Sequence, residues 1–190
     1  EDILRILLWG LGLLAFCGNL SVIFWRARSS LSIHQFVINN LAMSDFLMGL
    51  YMLIIASVDL YFRGVYVEHM EEWTESWLCH ASGFLSTVSS EGSVMFLCLM
   101  TIDRVITISF PFGNYRIGRK SVRLVVLIIW ISAILLAGIP FLPIDYFGGQ
   151  YYSASGVCIA LPITSSRPKG WEYSFAVFIG FNMCGFLIMA

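Results

Sequence analysis

Residues 78–108 read LCHASGFLSTVSSEGSVMFLCLMTIDRVITI. About 20 mostly apolar residues, rising 1.5 Å each as an α-helix, cross a hydrocarbon core about 30 Å thick. This run is longer than that and contains three charges, Glu91, Asp103 and Arg104. It lacks the polar/apolar alternation of a barrel strand. It reads as a spanning helix with an acid in its middle and a charge pair near one end. Four more runs qualify: Ile3–Trp25 with Arg5 near its start, Phe36–Val58 with Asp45 as its only charge, Val122–Leu142 with Arg123 at its start, and Tyr173–Ala190. The expected class is all-α: a helical membrane protein with spans at about 3–25, 36–58, 78–108, 122–142 and 173–190.

Composition agrees. Of the 190 residues, 58% are hydrophobic and 12% charged, against about 25% charged in soluble domains. Too few polar groups remain to coat a water-facing surface, which excludes an ordinary soluble enzyme, a disordered chain and a coiled coil. With 11 basic and 12 acidic residues the net charge is −1, so no basic field points to nucleic acid. The chain starts without Met and stops at Ile188-Met189-Ala190 with no interfacial anchor; it is expected to be a piece of a longer protein. Arg26, Arg28, Arg104, Arg116, Arg119, Lys120 and Arg123 gather on one side of the spans. Arg5, Arg63, Arg167 and Lys169 lie on the other, with Glu68, Glu71, Glu72 and Glu75. The positive-inside rule then places Glu1 outside and the Arg26 loop in the cytoplasm.

A charge at membrane depth costs at least about 2.5 kcal/mol, so each needs a reason. Asp45 must face the bundle interior or a wet cavity, as an interhelical hydrogen bond or as a cation or proton site. Glu91 sits in Ser89-Ser90-Glu91-Gly92-Ser93, a run of small and hydroxyl residues that lets helices approach; it reads as a core acid more readily than as a ligand contact. Asp103 and Arg104 are adjacent, so they point to different neighbours, either snorkelling at the interface or forming a latch that opens when helices move. Cys17, Cys98 and Cys184 fall inside spans as packing residues, whereas Cys79 and Cys158 share the outer, oxidising side.

Enzyme chemistry has no foothold. There is no H-E-x-x-H, G-x-S-x-G or Walker loop, and His34, His69 and His80 lack metal-ligand spacing with one another. The competing reading is an ion or solute transporter using Asp45 and Glu91, but no broken helices or inverted repeats accompany them.

Several short motifs recur in order along these spans. They are Gly18-Asn19 with Val22, Leu41-Ala42-x-Ser44-Asp45, Trp73 six residues before Cys79, Asp103-Arg104-Val105, Pro111, Trp130 with Pro140, and Cys158. Together they resemble the rhodopsin-like family of G-protein-coupled receptors. Ser89-Ser90-Glu91, Phe110-Pro111-Phe112-Gly113-Asn114, Asp145-Tyr146-Phe147-Gly148 and Gly156-Val157-Cys158 look like the subfamily with leucine-rich-repeat ectodomains, in its relaxin-receptor branch. Val105 replaces that family's usual Tyr, and Gly185 stands where many members have a fifth-span Pro.

The resemblance implies the first five spans of a seven-transmembrane bundle, with residues 1–190 a partial domain and the ectodomain and spans six and seven outside it. It implies a multi-pass plasma-membrane receptor with its N-terminus extracellular. A peptide or protein hormone would bind outside, and a heterotrimeric G protein would be activated inside, with stimulation of adenylate cyclase. It implies a Cys79–Cys158 disulfide and G-protein coupling through Asp103, Arg104 and Pro111. It implies structural roles for Asn19, Trp73, Trp130 and Pro140. Ser93 lies eleven residues before Arg104, the spacing of the family's sodium-site hydroxyl, so Asp45 and Ser93 are expected to line a Na+ pocket of oxygen ligands. No other cofactor is expected.

Overall fold

The computed structural model describes residues 2–27, 32–110, 118–149, 151–160 and 168–189. Four long α-helices, α1 (Asp2–Ala27), α2 (Ile33–Tyr61), α4 (Trp77–Ser109) and α5 (Arg119–Gly138), follow the first four apolar runs. A short α3 (Tyr66–Thr74) joins α2 to α4. The fifth span is composite: α6 (Trp171–Ser174), a π-helical stretch Phe175–Phe181, and α7 (Asn182–Met189). Among the described residues, five segments are long and apolar enough to cross a membrane. In hydrocarbon no water can pair with backbone polar groups, so each run must close its own ladder as a helix.

The helices outrun the apolar runs where a cap is available. Ser32 caps α2 in a capping box: its hydroxyl accepts from Gln35 N at 3.3 Å, and its own N–H donates to Gln35 Oε1 at 3.0 Å. Ser76 caps α4 by accepting from Cys79 N at 3.2 Å. At the far end of α5, Pro140 has no N–H to give. The α-helix therefore stops at Gly138, and a 3-10 turn covers Ile139–Phe141, slightly short of the Leu142 boundary expected from hydropathy.

Helix α1 packs on α2, α2 on α4, and α4 on both α5 and α7. Small residues set the close approaches. A Cβ on Gly49 of α2 would lie 2.5 Å from the Phe16 backbone nitrogen of α1, and one on Gly92 of α4 would lie 2.7 Å from Ser44 Oγ of α2. Between those two helices Ser44 Oγ donates to Ser89 O at 2.9 Å and Ser89 Oγ donates to Ser44 O at 2.7 Å, both buried. Val37, Phe96, Leu99, Val122, Val126 and Ile129 form the main apolar cluster where α2, α4 and α5 meet. Leu124, Leu127, Ile131 and Leu135 of α5 point outward. Such a stripe would be a liability in water and suits lipid.

The close α1–α2 contact gives a test. Gly49→Val should force α1 away and destabilise the bundle by about 1–3 kcal/mol, read as a lower unfolding temperature in nanodiscs. Gly18→Ala, whose Cβ meets nothing within 4 Å, should leave that temperature unchanged.

Candidate functional site

The polar groups sort into two ends and a middle. At one end Cys79, in the first turn of α4, is bonded to Cys158, with Cα atoms 5.3 Å apart. The loop segment beside it is held by three side-chain donors. Tyr66 Oη and Trp73 Nε1 both donate to Gly156 O, at 2.5 and 2.8 Å, and Tyr51 Oη donates to Val157 O at 2.8 Å. Trp73 is buried, so its indole serves as the wall under this loop. Farther back, Tyr152 Oη donates to Ala137 O at 2.7 Å, beside the buried Pro140. Burial pushes the Tyr151 phenol up to about 12 and raises that of Tyr152 as well, so both stay neutral donors or acceptors at physiological pH. At the same end Arg5 Nε donates to Asp59 Oδ2 at 2.7 Å, fastening α1 to α2.

In the middle, the two intramembrane acids face opposite sides of α4. Ser93 Oγ donates to Asp45 Oδ1 at 2.6 Å, toward α2. Glu91, fully buried, accepts from Asn182 Nδ2 at 3.3 Å, toward the fifth span. The two acids are thus bonded to partners on different helices. Asp45 and Ser93 supply a carboxylate and a hydroxyl oxygen in contact, a donor set suited to a hard cation. Asn19 Nδ2 donates to Ala15 O of its own helix at 2.8 Å. Trp130 Nε1 donates to Asn40 Oδ1 at 3.0 Å, joining α5 to α2.

At the other end Asp103 is half-buried and Arg104 exposed. Asp103 lines a small recess with His34, Met100 and Val122. No ion pair involves Asp103 or Arg104 among the described residues. Pro111 lies outside the described residues.

Sequence reading did not single out Asn182, Asn40, Arg5 with Asp59, or Tyr51 and Tyr66. Asn182 was the most legible of these, as a lone amide in the apolar run of the fifth span. Gly185 sits at the expected fifth-span proline position for a packing reason: a Cβ there would lie 2.6 Å from Val94 Cγ1 of α4.

The family model described as 7 transmembrane receptor (rhodopsin family) matches residues 18–190. The chain is similar along its whole length to G-protein coupled receptor GRL101 of Lymnaea stagnalis, at 48% identity, and to human relaxin receptor 2, at 36%. It covers 17% and 25% of those two proteins. The thyrotropin receptor of Ovis aries is 34% identical over 98% of the chain, which covers 24% of that receptor. The chain thus spans a quarter or less of the length of these relatives. Five membrane-length helices, the α4-to-loop disulfide and this match lead to one statement: the chain belongs to the rhodopsin family of seven-transmembrane receptors.

Proposed function

We propose that this chain is the membrane core of a plasma-membrane receptor that transmits binding of an extracellular peptide or protein hormone to a heterotrimeric G protein, and thereby stimulates adenylate cyclase. The supporting observation is similarity, over 98% or more of this chain, to proteins named as relaxin and thyrotropin receptors. The excess of Lys and Arg at the Asp103–Arg104 end supports a cytoplasmic assignment for that end. The disulfide end, with its glutamate-rich α3 and pinned loop, is then the extracellular face.

In this reading Arg104 is the contact to the G protein. Its guanidinium is always charged and presents several donors in a planar fork. Standing exposed on the last turns of α4, it can reach backbone carbonyls of a segment inserted from below. Activation is a shift in population between two packings of the bundle, biased by hormone at the other end. Asp103, half-buried against α2 and α5, favours the resting packing. Arg104→Ala should strongly reduce G-protein activation while leaving surface expression and hormone binding intact. Asp103→Asn should raise basal signalling, measured as cyclic AMP at matched surface levels. Because a factor of ten is about 1.4 kcal/mol, loss of a restraint of about 1 kcal/mol changes basal output about fivefold.

The Asp45–Ser93 pair is proposed as two ligands of an allosteric Na+ that steadies the resting packing. Asp45→Asn removes the charge and keeps the shape. It should abolish the sodium dependence of hormone affinity in membranes from cells expressing the full receptor. Sodium sensitivity and signalling both unchanged in that variant would end the assignment.

A further inference from the structure

We propose that Glu91 keeps its proton inside the bundle and donates it from Oε2 in a hydrogen bond to Asn182 Oδ1, closing a two-point acid–amide pair between α4 and the fifth span. Glu91 has no accessible surface. Its Oε1 accepts from Asn182 Nδ2 at 3.3 Å. Glu91 Oε2 and Asn182 Oδ1 are both buried and have no hydrogen-bond partner among the described residues. An ionised carboxylate cannot help, because a carboxylate oxygen and an amide oxygen both only accept. Flipping the amide does not help either. Asn182 Nδ2 also donates to Phe178 O at 3.0 Å, and a flip would set oxygen against oxygen there. A proton on Oε2 lets it donate to Oδ1, which would satisfy both orphaned atoms, while the two N–H groups of Asn182 serve Glu91 Oε1 and Phe178 O.

The surroundings favour the neutral form. Glu91 makes no ion pair among the described residues. Among the described residues, the groups that sense its charge include the phenols of Tyr151 in the loop and Tyr173 in the fifth span, and neither is a cation. An unpaired buried charge is costly, and such a group is neutralised instead. The pair also sits at a structural junction. Asn182 is the first residue of α7, directly after the π-helical Phe175–Phe181, and its amide bonds a carbonyl of that stretch. Glu91 is therefore a positioning residue that fixes, against α4, the point where the fifth span returns from π to α geometry.

The rival arrangement is a bound water donating to both oxygens beside an ionised Glu91. Infrared difference spectroscopy on the full-length receptor in nanodiscs separates the two. Wild type minus Glu91→Gln should show loss of a protonated-carboxyl C=O band, above the amide region. Loss of carboxylate bands instead would overturn the proposal. Gln reproduces both bonds to Asn182, so Glu91→Gln should keep hormone-stimulated cyclic AMP, whereas loss of signalling at normal surface level would count against the pair. If Glu91→Gln fails to fold, Asn182→Ala leaves the acid in place. Its protonated band should then shift upward as the bond to the amide is lost, and an unshifted band would refute the pairing.

Discussion

Polar groups of α4 at membrane depth have no water to turn to, and the bundle is arranged around that constraint. Burying an unpaired polar group costs several kcal/mol in hydrocarbon. Ser89 and Ser44 answer it by exchanging hydrogen bonds with each other's backbone carbonyls, which fixes the register of α2 against α4. Ser93 answers for Asp45 on the same side, and Asn182 for Glu91 on the opposite side. The small residues beside these pairs, Gly92 and Gly185, permit the approach that the bonds require. Apolar side chains then fill what remains, with Phe96 and Trp130 in edge contact at 5.6 Å between ring centroids.

Helix α4 thereby becomes the strut of the molecule. Its 33 residues make it about 50 Å long, more than the thickness of the hydrocarbon core. One end carries the disulfide to a loop that Tyr51, Tyr66 and Trp73 clamp from below. The other end carries the exposed Arg104. Bonded to its neighbours in its middle and tethered at one end, α4 links the position of that loop to the packing of the helices around it, as the proposed receptor function would require.

Much of this was legible in the sequence because the bilayer makes local demands. Apolar runs of spanning length must be helices, and Cys79 and Cys158 were marked by standing on the same side. The likeness in motif order alone pairs Asp45 with Ser93, and the structure places them in contact. Contacts set by helix rotation were hidden. Gly18, part of the recognisable Gly18-Asn19 motif, meets open space, while Gly49 makes the close approach to α1. The partner of Glu91 depends on a π-helical offset in the fifth span, and no propensity marks that offset. Arg5 is marked in the sequence only as a charge near the start of the first run, yet it pairs with Asp59 across two helices.

The central claim is that the two ends of α4 face two different aqueous partners, with the G protein at the Arg104 end. Photo-crosslinking tests it most directly. A crosslinking amino acid is placed either at Ile108, one turn beyond Arg104 and 78% exposed, or at Val67 on α3, 87% exposed at the disulfide end. The full-length receptor is then reconstituted in nanodiscs with a heterotrimeric G protein. The account predicts a nucleotide-sensitive crosslink to the G protein from position 108 and none from position 67. A crosslink from position 67, or none from position 108 in a complex that activates the G protein, would contradict it.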